Sequence, residues 1–308
     1  YSVYYTAEEY RKMMEQTSGT YSGIGALVSQ NAETGIITVV KAFADAPAAK
    51  AGVKNGDIIY KVKGKEVTGV DINNVVTEMK GEKGTTVDIT VYRESEKKYI
   101  DFTITRDQVN EPTVEYKMLD KKKKIGYIQI SQFEEVTYDQ FTKALDDLKK
   151  QGMKAVIFDV RSNPGGLYET VCKMLDEILP EGNLVSTKDK YGNEEKQTSD
   201  SKCLDMPMVV LQNKDSASAS EIFAGAIQDF NAGKIVGTQS FGKGIVQTIL
   251  PLSDGSAVKL TVQDYYTPSG KNIHGKGITP DVEAELEENA TSDTQLEKAK
   301  ETIMELMK

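Results

Sequence analysis

Histidine is nearly absent from this 308-residue chain, where His274 is the single one. Hydrolases built on a Ser-His-Asp triad need an imidazole base, so only His274 could serve. It lies in the polar, turn-like segment Gly270-Lys271-Asn272-Ile273-His274-Gly275, and we read it as an exposed loop residue. Cysteine is scarce too. Cys172 and Cys203 are too few for a disulfide framework, and their spacing does not establish a pair. With one histidine they cannot supply the usual zinc ligands, so neither metal nor cofactor is expected. No apolar run is long enough to span a bilayer. The chain begins at Tyr1, so a signal peptide or anchor upstream is an expectation that these residues do not display. Basic residues are the minority, 38 against 47 acidic, for a net charge of −9. That balance argues against nucleic acid as a partner. The one long basic run, Lys121-Lys122-Lys123-Lys124, reads as a solvated loop.

What is present suits a two-domain globular protein. Residues 4–16 predict a short helix with Tyr10, Met13 and Met14 as an apolar stripe and Thr6 as its cap. Residues 19–106 hold five short β-rich runs and two short helices, at 47–51 and 72–80. Pro47 suits a first helical turn, Gly52 a C-terminal cap, and Asp71 an N-terminal one. Residues 107–124 read as a polar connector. Beyond them strands and amphipathic helices alternate. Strands are expected at 125–130, 155–160, 208–212 and 234–237, with helices at 138–150, 166–179 and 218–230. This order predicts an α/β core with helices packed on a sheet. Residues 182–202 read as a hairpin or mobile loop, 245–250 and 257–266 as strands about a turn, 288–293 as an acidic loop, and 292–307 as a last helix.

Three places carry chemistry. Ser216-Ala217-Ser218-Ala219-Ser220 sits between a buried strand and a helix. A hydroxyl there lies beside free backbone N–H groups and the positive end of the helix dipole, where a nucleophile and an oxyanion hole can be built together. Plain N-capping would also use a serine. Lys243 is flanked by Gly242 and Gly244. Glycines let backbone come close, and a lysine desolvated among apolar groups can be neutral and accept a proton. Gln247 could hold its amine. The P-loop spacing is missing around this lysine. Asn163-Pro164-Gly165-Gly166 ends a buried strand, where ligands bind in such folds. Its glycines can donate N–H groups, or simply make the turn.

Residues 19–106 resemble a PDZ domain of the permuted kind in bacterial proteases, through Tyr21-Ser22-Gly23-Ile24-Gly25-Ala26, Ala44-Asp45-Ala46-Pro47-Ala48-Ala49-Lys50-Ala51-Gly52-Val53 and Gly56-Asp57-Ile58-Ile59. The glycine-rich loop at Gly23, Ile24, Gly25 and Ala26 would hold a peptide carboxylate, and the adjoining strand edge would take the peptide as an extra strand. Together the pieces resemble the carboxyl-terminal processing, or tail-specific, peptidases. Ser216 to Ile222 matches that family's nucleophile motif, and Phe241-Gly242-Lys243-Gly244-Ile245-Val246-Gln247 its lysine motif. Asn163 to Gly166, Asp254-Gly255-Ser256, Tyr266-Thr267-Pro268 and Gly277-Ile278-Thr279-Pro280-Asp281 also match. Asp215 departs from the threonine common in the family.

The resemblance implies a crotonase-like α/β peptidase core at 107–290, a PDZ domain at 19–106, an N-terminal helical segment at 1–18 and a C-terminal helix at 291–308. It implies a serine endopeptidase with Ser218 as nucleophile, Lys243 as base and Gln247 as its support. Gly165, Gly166 and the Ala219 N–H would form the oxyanion site, with Arg93 and Arg106 as gating contacts. It further implies protein substrates with apolar C-termini, an activating partner protein, a homodimer formed through the terminal helices, and an extracytoplasmic, membrane-anchored setting.

Overall fold

The computed structural model describes residues 1–287, 290 and 292–308. The expected acidic loop at 288–293 therefore lies partly outside the described residues, at 288, 289 and 291. The chain opens with strand β1 (Val3–Tyr5) and helix α1 (Ala7–Ser18). Thr6 and Glu9 start the helix reciprocally: Glu9 Oε2 accepts from the Thr6 N–H at 2.9 Å, and Thr6 Oγ1 accepts from the Glu9 N–H at 3.3 Å.

Residues 19–112 form one compact unit. It contains β2 (Thr20–Gly23), β3 (Ala26–Gln30), β4 (Ile37–Ala42), α2 (Pro47–Ala51), β5 (Ile58–Val62), β6 (Lys65–Glu66), α3 (Ile72–Met79), β7 (Thr86–Arg93), β8 (Lys98–Thr105) and β9 (Asp107–Asn110). The main sheet runs β3-β4-β5-β7-β8, all antiparallel. Alternate residues Ile37, Val39, Val87, Ile89 and Val91 turn inward with Ile59 and Ile104, and α3 closes over them with Val75 and Met79. Strand β3 is an edge of that sheet, with β4 as its neighbour.

Residues 1–18 and 113–308 form the other unit. After β10 (Val114–Asp120) come β11 (Ile125–Ile130), α4 (Thr137–Lys150), β12 (Ala155–Asp159), α5 (Tyr168–Asp176), β13 (Gly182–Asp189), β14 (Glu194–Ser199), β15 (Met208–Gln212), α6 (Ala219–Asp229), β16 (Gly233–Gly237), β17 (Ile245–Pro251), β18 (Ala257–Tyr266), β19 (Val282–Glu283) and α7 (Thr294–Leu306). One sheet has the order β10-β11-β12-β15-β16-β19, parallel throughout except for β10. Strands β12 and β15 are buried at every residue, as both-face burial demands. Their period of two sorts side chains between layers. Val156, Phe158 and Val210 pack under α4, α5 and α6, whereas Ile157, Val209 and Leu211 face Ala299 and Ile303 of α7. The mixed α/β layering follows from that alternation.

Two expectations change. Residues 107–124 are largely strand: β9 pairs with β2, and β10 pairs antiparallel with β11. The lysine run is the β10–β11 turn. Residues 4 and 5 are extended instead of helical, because β1 pairs with β18 in a second sheet, Val3 opposite Lys259 and Tyr5 opposite Ala257.

Candidate active site

Ser218 stands where α6 begins, beyond the carboxyl end of β15 and beside the turn that follows β12. It caps α6 with φ at +57°, a left-handed conformation for a residue with a Cβ. Such backbone costs on the order of 1–3 kcal/mol and persists only where surroundings enforce it. The enforcing bonds are visible. Asn163, fully buried, donates Nδ2 to the Ile130 carbonyl at 2.9 Å, and its own carbonyl accepts from the Ala217 N–H at 3.0 Å and from Ser220 Oγ at 2.9 Å. Ser216 Oγ donates to the Val160 carbonyl at 2.8 Å. The outer two serines of the run thus hold the loop, and among the described residues the Ser218 hydroxyl donates to nothing.

Gly165 is forced by proximity. A Cβ on it would lie 2.7 Å from the Ala217 carbonyl and 2.8 Å from Ser218 Cβ. Its N–H is engaged by Asn163 Oδ1 at 2.8 Å. The N–H groups of Gly166 and Ala219 have no partner among the described residues. The turn and the helix start are therefore brought together at Gly165, whose added Cβ would also lie 3.0 Å from the Ala219 nitrogen.

Lys243 reaches the same place on the loop from β16 to β17. That loop is fixed to the serine run by the Phe241 N–H donating to the Ser216 carbonyl at 3.0 Å. Both flanking glycines are needed. A Cβ on Gly244 would stand 2.6 Å from the His274 nitrogen, and one on Gly242, at φ +90°, would stand 3.0 Å from the backbone nitrogens of Lys276 and Gly277. His274 thus contributes backbone at this spot. Burial pushes the Lys243 amine below the usual lysine range, the like charge of Lys259 adds to that, and Glu221 opposes it. Lys243 Nζ has no carboxylate partner among the described residues, and no hydrogen bond joins it to Ser218 Oγ. Gln247 lies on the same side, but its Nε2 donates to the Tyr1 carbonyl at 2.7 Å, and the Tyr1 ring centroid is 5.6 Å from Lys243 Nζ.

The sequence reading missed Glu221. It is fully buried, and its carboxylate gathers both halves of the site. Oε2 accepts from the backbone N–H of Ser218 at 2.9 Å and of Lys243 at 2.8 Å. Oε1 accepts from the Gly242 N–H at 2.7 Å and from Ser240 Oγ at 2.5 Å. Ser240 Oγ accepts from the Ile278 N–H at 2.6 Å, so its own proton points to Glu221. The signal was the S-x-x-E spacing of Ser218 and Glu221, a capping box.

The remaining candidates lie in the unit of residues 19–112. Gly23, Ile24, Gly25 and Ala26 form the entry to edge strand β3. Gly25 is at φ +75°, and a Cβ there would meet Ala46 Cβ at 2.3 Å. Ala26 and Val28 of β3 and Ile72 and Val76 of α3 are only partly buried on that core. Arg93 grips Asp57 with two bonds of 2.7 Å, and Arg106 donates to the carbonyls of Glu78, Met79 and Thr86. Both arginines therefore bind groups within their own unit.

Residues 22–104 match the PDZ domain, and residues 124–284 match peptidase family S41. The chain is 41% identical over 92% of its length to a carboxy-terminal-processing protease of Bartonella bacilliformis, covering 66% of that protein. It is 40% identical over 92% of its length to a probable CtpA-like serine protease of Staphylococcus epidermidis, covering 57% of it. The chain thus spans less than two thirds of these relatives. Among solved structures, the photosystem II D1 C-terminal processing protease superposes with a TM-score of 0.56 at 29% identity, over 98% of this chain and 81% of that one. On the match of residues 124–284, which cover more than half of the chain, and on these relatives, the chain belongs to peptidase family S41.

Proposed function

We propose that the protein is a serine endopeptidase that recognises the C-terminal tail of protein substrates and cleaves them through a Ser218–Lys243 dyad. The observation that carries this reading is the division of labour among three serines. Ser216 and Ser220 donate to backbone carbonyls, while Ser218 keeps its hydroxyl proton beside the helix N-terminus.

In the proposed reaction, the neutral Lys243 amine takes the Ser218 Oγ proton as Oγ attacks the scissile carbonyl carbon. The resulting oxyanion faces the N–H groups of Gly166 and Ala219. Gly165 contributes the missing side chain that makes room. Collapse of the intermediate breaks the C–N bond, and the Lys243 ammonium returns its proton to the departing amine. Water then releases the acyl group from Ser218. Lys243 and Ser218 tighten into hydrogen-bond reach when substrate arrives, as catalytic pairs often do. Gln247 orients the lysine once its amide leaves the Tyr1 carbonyl.

Residues 19–106 act as the tail-binding module. A peptide's C-terminal carboxylate sits at the N–H groups of Gly23 to Ala26, its backbone extends edge strand β3, and apolar side chains meet Val28, Ile72 and Val76. The family resemblance extends the reading to a crotonase-like core, with which a parallel sheet carrying helices on both faces is compatible. The reading extends to extracytoplasmic protein substrates, and to dimerisation through the terminal helices, of which α1 has no buried residue whereas α7 already buries Ala299 and Ile303 on its own sheet.

Ser218→Ala and Lys243→Ala test the dyad in a cleavage assay on an unstructured protein with an apolar C-terminus. Both variants are expected to lose turnover. Wild-type turnover in either one rejects the dyad.

A further inference from the structure

Strands β12 and β15 are parallel neighbours, with Asp159 opposite Leu211, so the turn after one and the serine loop after the other leave the sheet side by side. One side chain spans the two. Asn213 is the first residue beyond β15. Its Oδ1 accepts from the Ser162 N–H at 2.8 Å and from the Asp215 N–H at 3.1 Å, and its Nδ2 donates to Ser162 Oγ at 3.1 Å. Its backbone holds the serine loop. The Asn213 N–H donates to Ser216 Oγ at 3.0 Å, and the Asn213 carbonyl accepts from the Ser216 N–H at 2.9 Å. Ser216 Oγ in turn donates to the Val160 carbonyl, so the circuit closes where the turn begins. Asn213 is half-buried and Ser162 is exposed. Water competes for hydrogen bonds in such a place, so their net worth to folding is small. What they fix is geometry.

Ser162 has φ at +56°, the left-handed region that Ser218 also occupies. Serine adopts that backbone rarely, and it lasts only where the surroundings hold it. The Ser162 N–H and Oγ are both engaged by Asn213. From Ser162 the chain has little freedom before Gly165. Asn163 is held by its own side-chain bonds, and the ring of Pro164 fixes its φ. The path of the turn is therefore set at Ser162. That path ends in a close approach, since a Cβ on Gly165 would lie 2.8 Å from Ser218 Cβ. We propose that Asn213 is a positioning residue for the oxyanion site, a clasp that holds Ser162 in its left-handed conformation and so keeps the Gly165-Gly166 turn against Ser218. The proposal rests on the dyad and oxyanion reading above. Asn163 does a different job: its bonds reach Ile130, Gly165, Ala217 and Ser220, and none reaches Ser162.

Two variants read the effect out, Asn213→Ala and the double variant Asn213→Ala with Ser162→Gly. Asn213→Ala is expected to lower kcat about tenfold or more with KM little changed, because a displaced turn costs the transition state rather than substrate binding. Its affinity for a peptide boronate should fall in step with kcat/KM, since the boron takes the electron pair of Ser218 Oγ and forms a tetrahedral adduct like the one in the reaction. The double variant should recover most of both losses, because glycine adopts positive φ without a clasp. Amide resonances of Gly165, Gly166 and Ala219 should shift in Asn213→Ala and return in the double variant, a readout that does not depend on turnover. A clasp that served only the fold would lower the melting point and leave kcat per titrated site unchanged, and that result overturns the proposal. So do unmoved amide resonances in Asn213→Ala, or a double variant no better than the single one. Wild-type turnover in Ser218→Ala overturns the dyad instead, so the two failures are distinct.

Discussion

Replacing Glu221 by glutamine should disable the site from inside, without touching either reacting group. The carboxylate accepts four bonds, from the N–H groups of Ser218, Gly242 and Lys243 and from Ser240 Oγ. A carboxylate is acceptor-only, whereas an amide turns one end into a donor. Whichever way the new amide lies, two of the four donors then face an N–H₂ group. Bonds to a charged acceptor are worth about 1.5–3 kcal/mol each, and a buried donor left unpaired costs about 1–3 kcal/mol. Two such losses amount to about 3–6 kcal/mol, a large part of the about 5–15 kcal/mol that holds a folded protein together. The fold escapes that cost by letting the Ser218 and Lys243 backbones part, which moves the dyad. Glu221→Gln should therefore lower the denaturant midpoint, lower kcat/KM by about a hundredfold, or both, since about 2.7 kcal/mol corresponds to that factor. Equilibrium unfolding and peptide cleavage on the same preparation measure both effects. A variant with the wild-type midpoint and kcat/KM within about threefold of wild type would refute the idea that this carboxylate ties the two halves together.

Gly244→Ala should cost about tenfold or more in kcat/KM, because its Cβ would enter the His274 backbone at 2.6 Å and push Lys243 outward; unchanged kinetics would speak against that packing. Lys243→Met should raise the unfolding midpoint while abolishing turnover. The sign follows from its lowered folded-state titration: the folded chain binds that proton more weakly than the unfolded chain, so the penalty is full below the folded pKa and fades as pH rises through the usual lysine range. A thermal melt at neutral pH that shows no gain counts against the burial argument. Arg93→Ala should destabilise the unit of residues 19–112 by about 3–5 kcal/mol, since it strands the buried Asp57 carboxylate. Circular dichroism melts of the full chain check it, and an unshifted transition would show the pair to be dispensable.

Local patterns made much of this molecule legible. Ser218 and Lys243 stood out because each sits in a short motif whose meaning depends on its immediate neighbours. The α/β core was readable from the apolar runs of β12 and β15, and the antiparallel unit from Pro47, Gly52, Asp71 and its β-rich runs. Contacts between distant segments were not. Glu221 announced its bond to Ser218 through a three-residue spacing, but Ser240, Gly242 and Lys243 reach it only once the β16–β17 loop folds back. The helix expected from residue 4 gives way to strand at Tyr4 and Tyr5, because their partner β18 is far away in the chain. Strand β10 hid behind its charged residues because it is an edge strand, exposed at Glu115, Tyr116 and Lys117. The family resemblance makes Gly165 an oxyanion donor. The Asn163 side chain takes its N–H, and only the folded turn reveals that its lack of a side chain is what Ser218 requires.

The central claim is that Ser218 is a nucleophile activated by Lys243. Labelling with a fluorophosphonate, followed by peptide mass spectrometry across a pH series, tests it most directly. The account predicts one adduct, on Ser218 and neither Ser216 nor Ser220, formed faster as pH rises through the lowered Lys243 titration and lost in Lys243→Met. An adduct on another serine, or equal labelling of Ser218 in Lys243→Met, would contradict it.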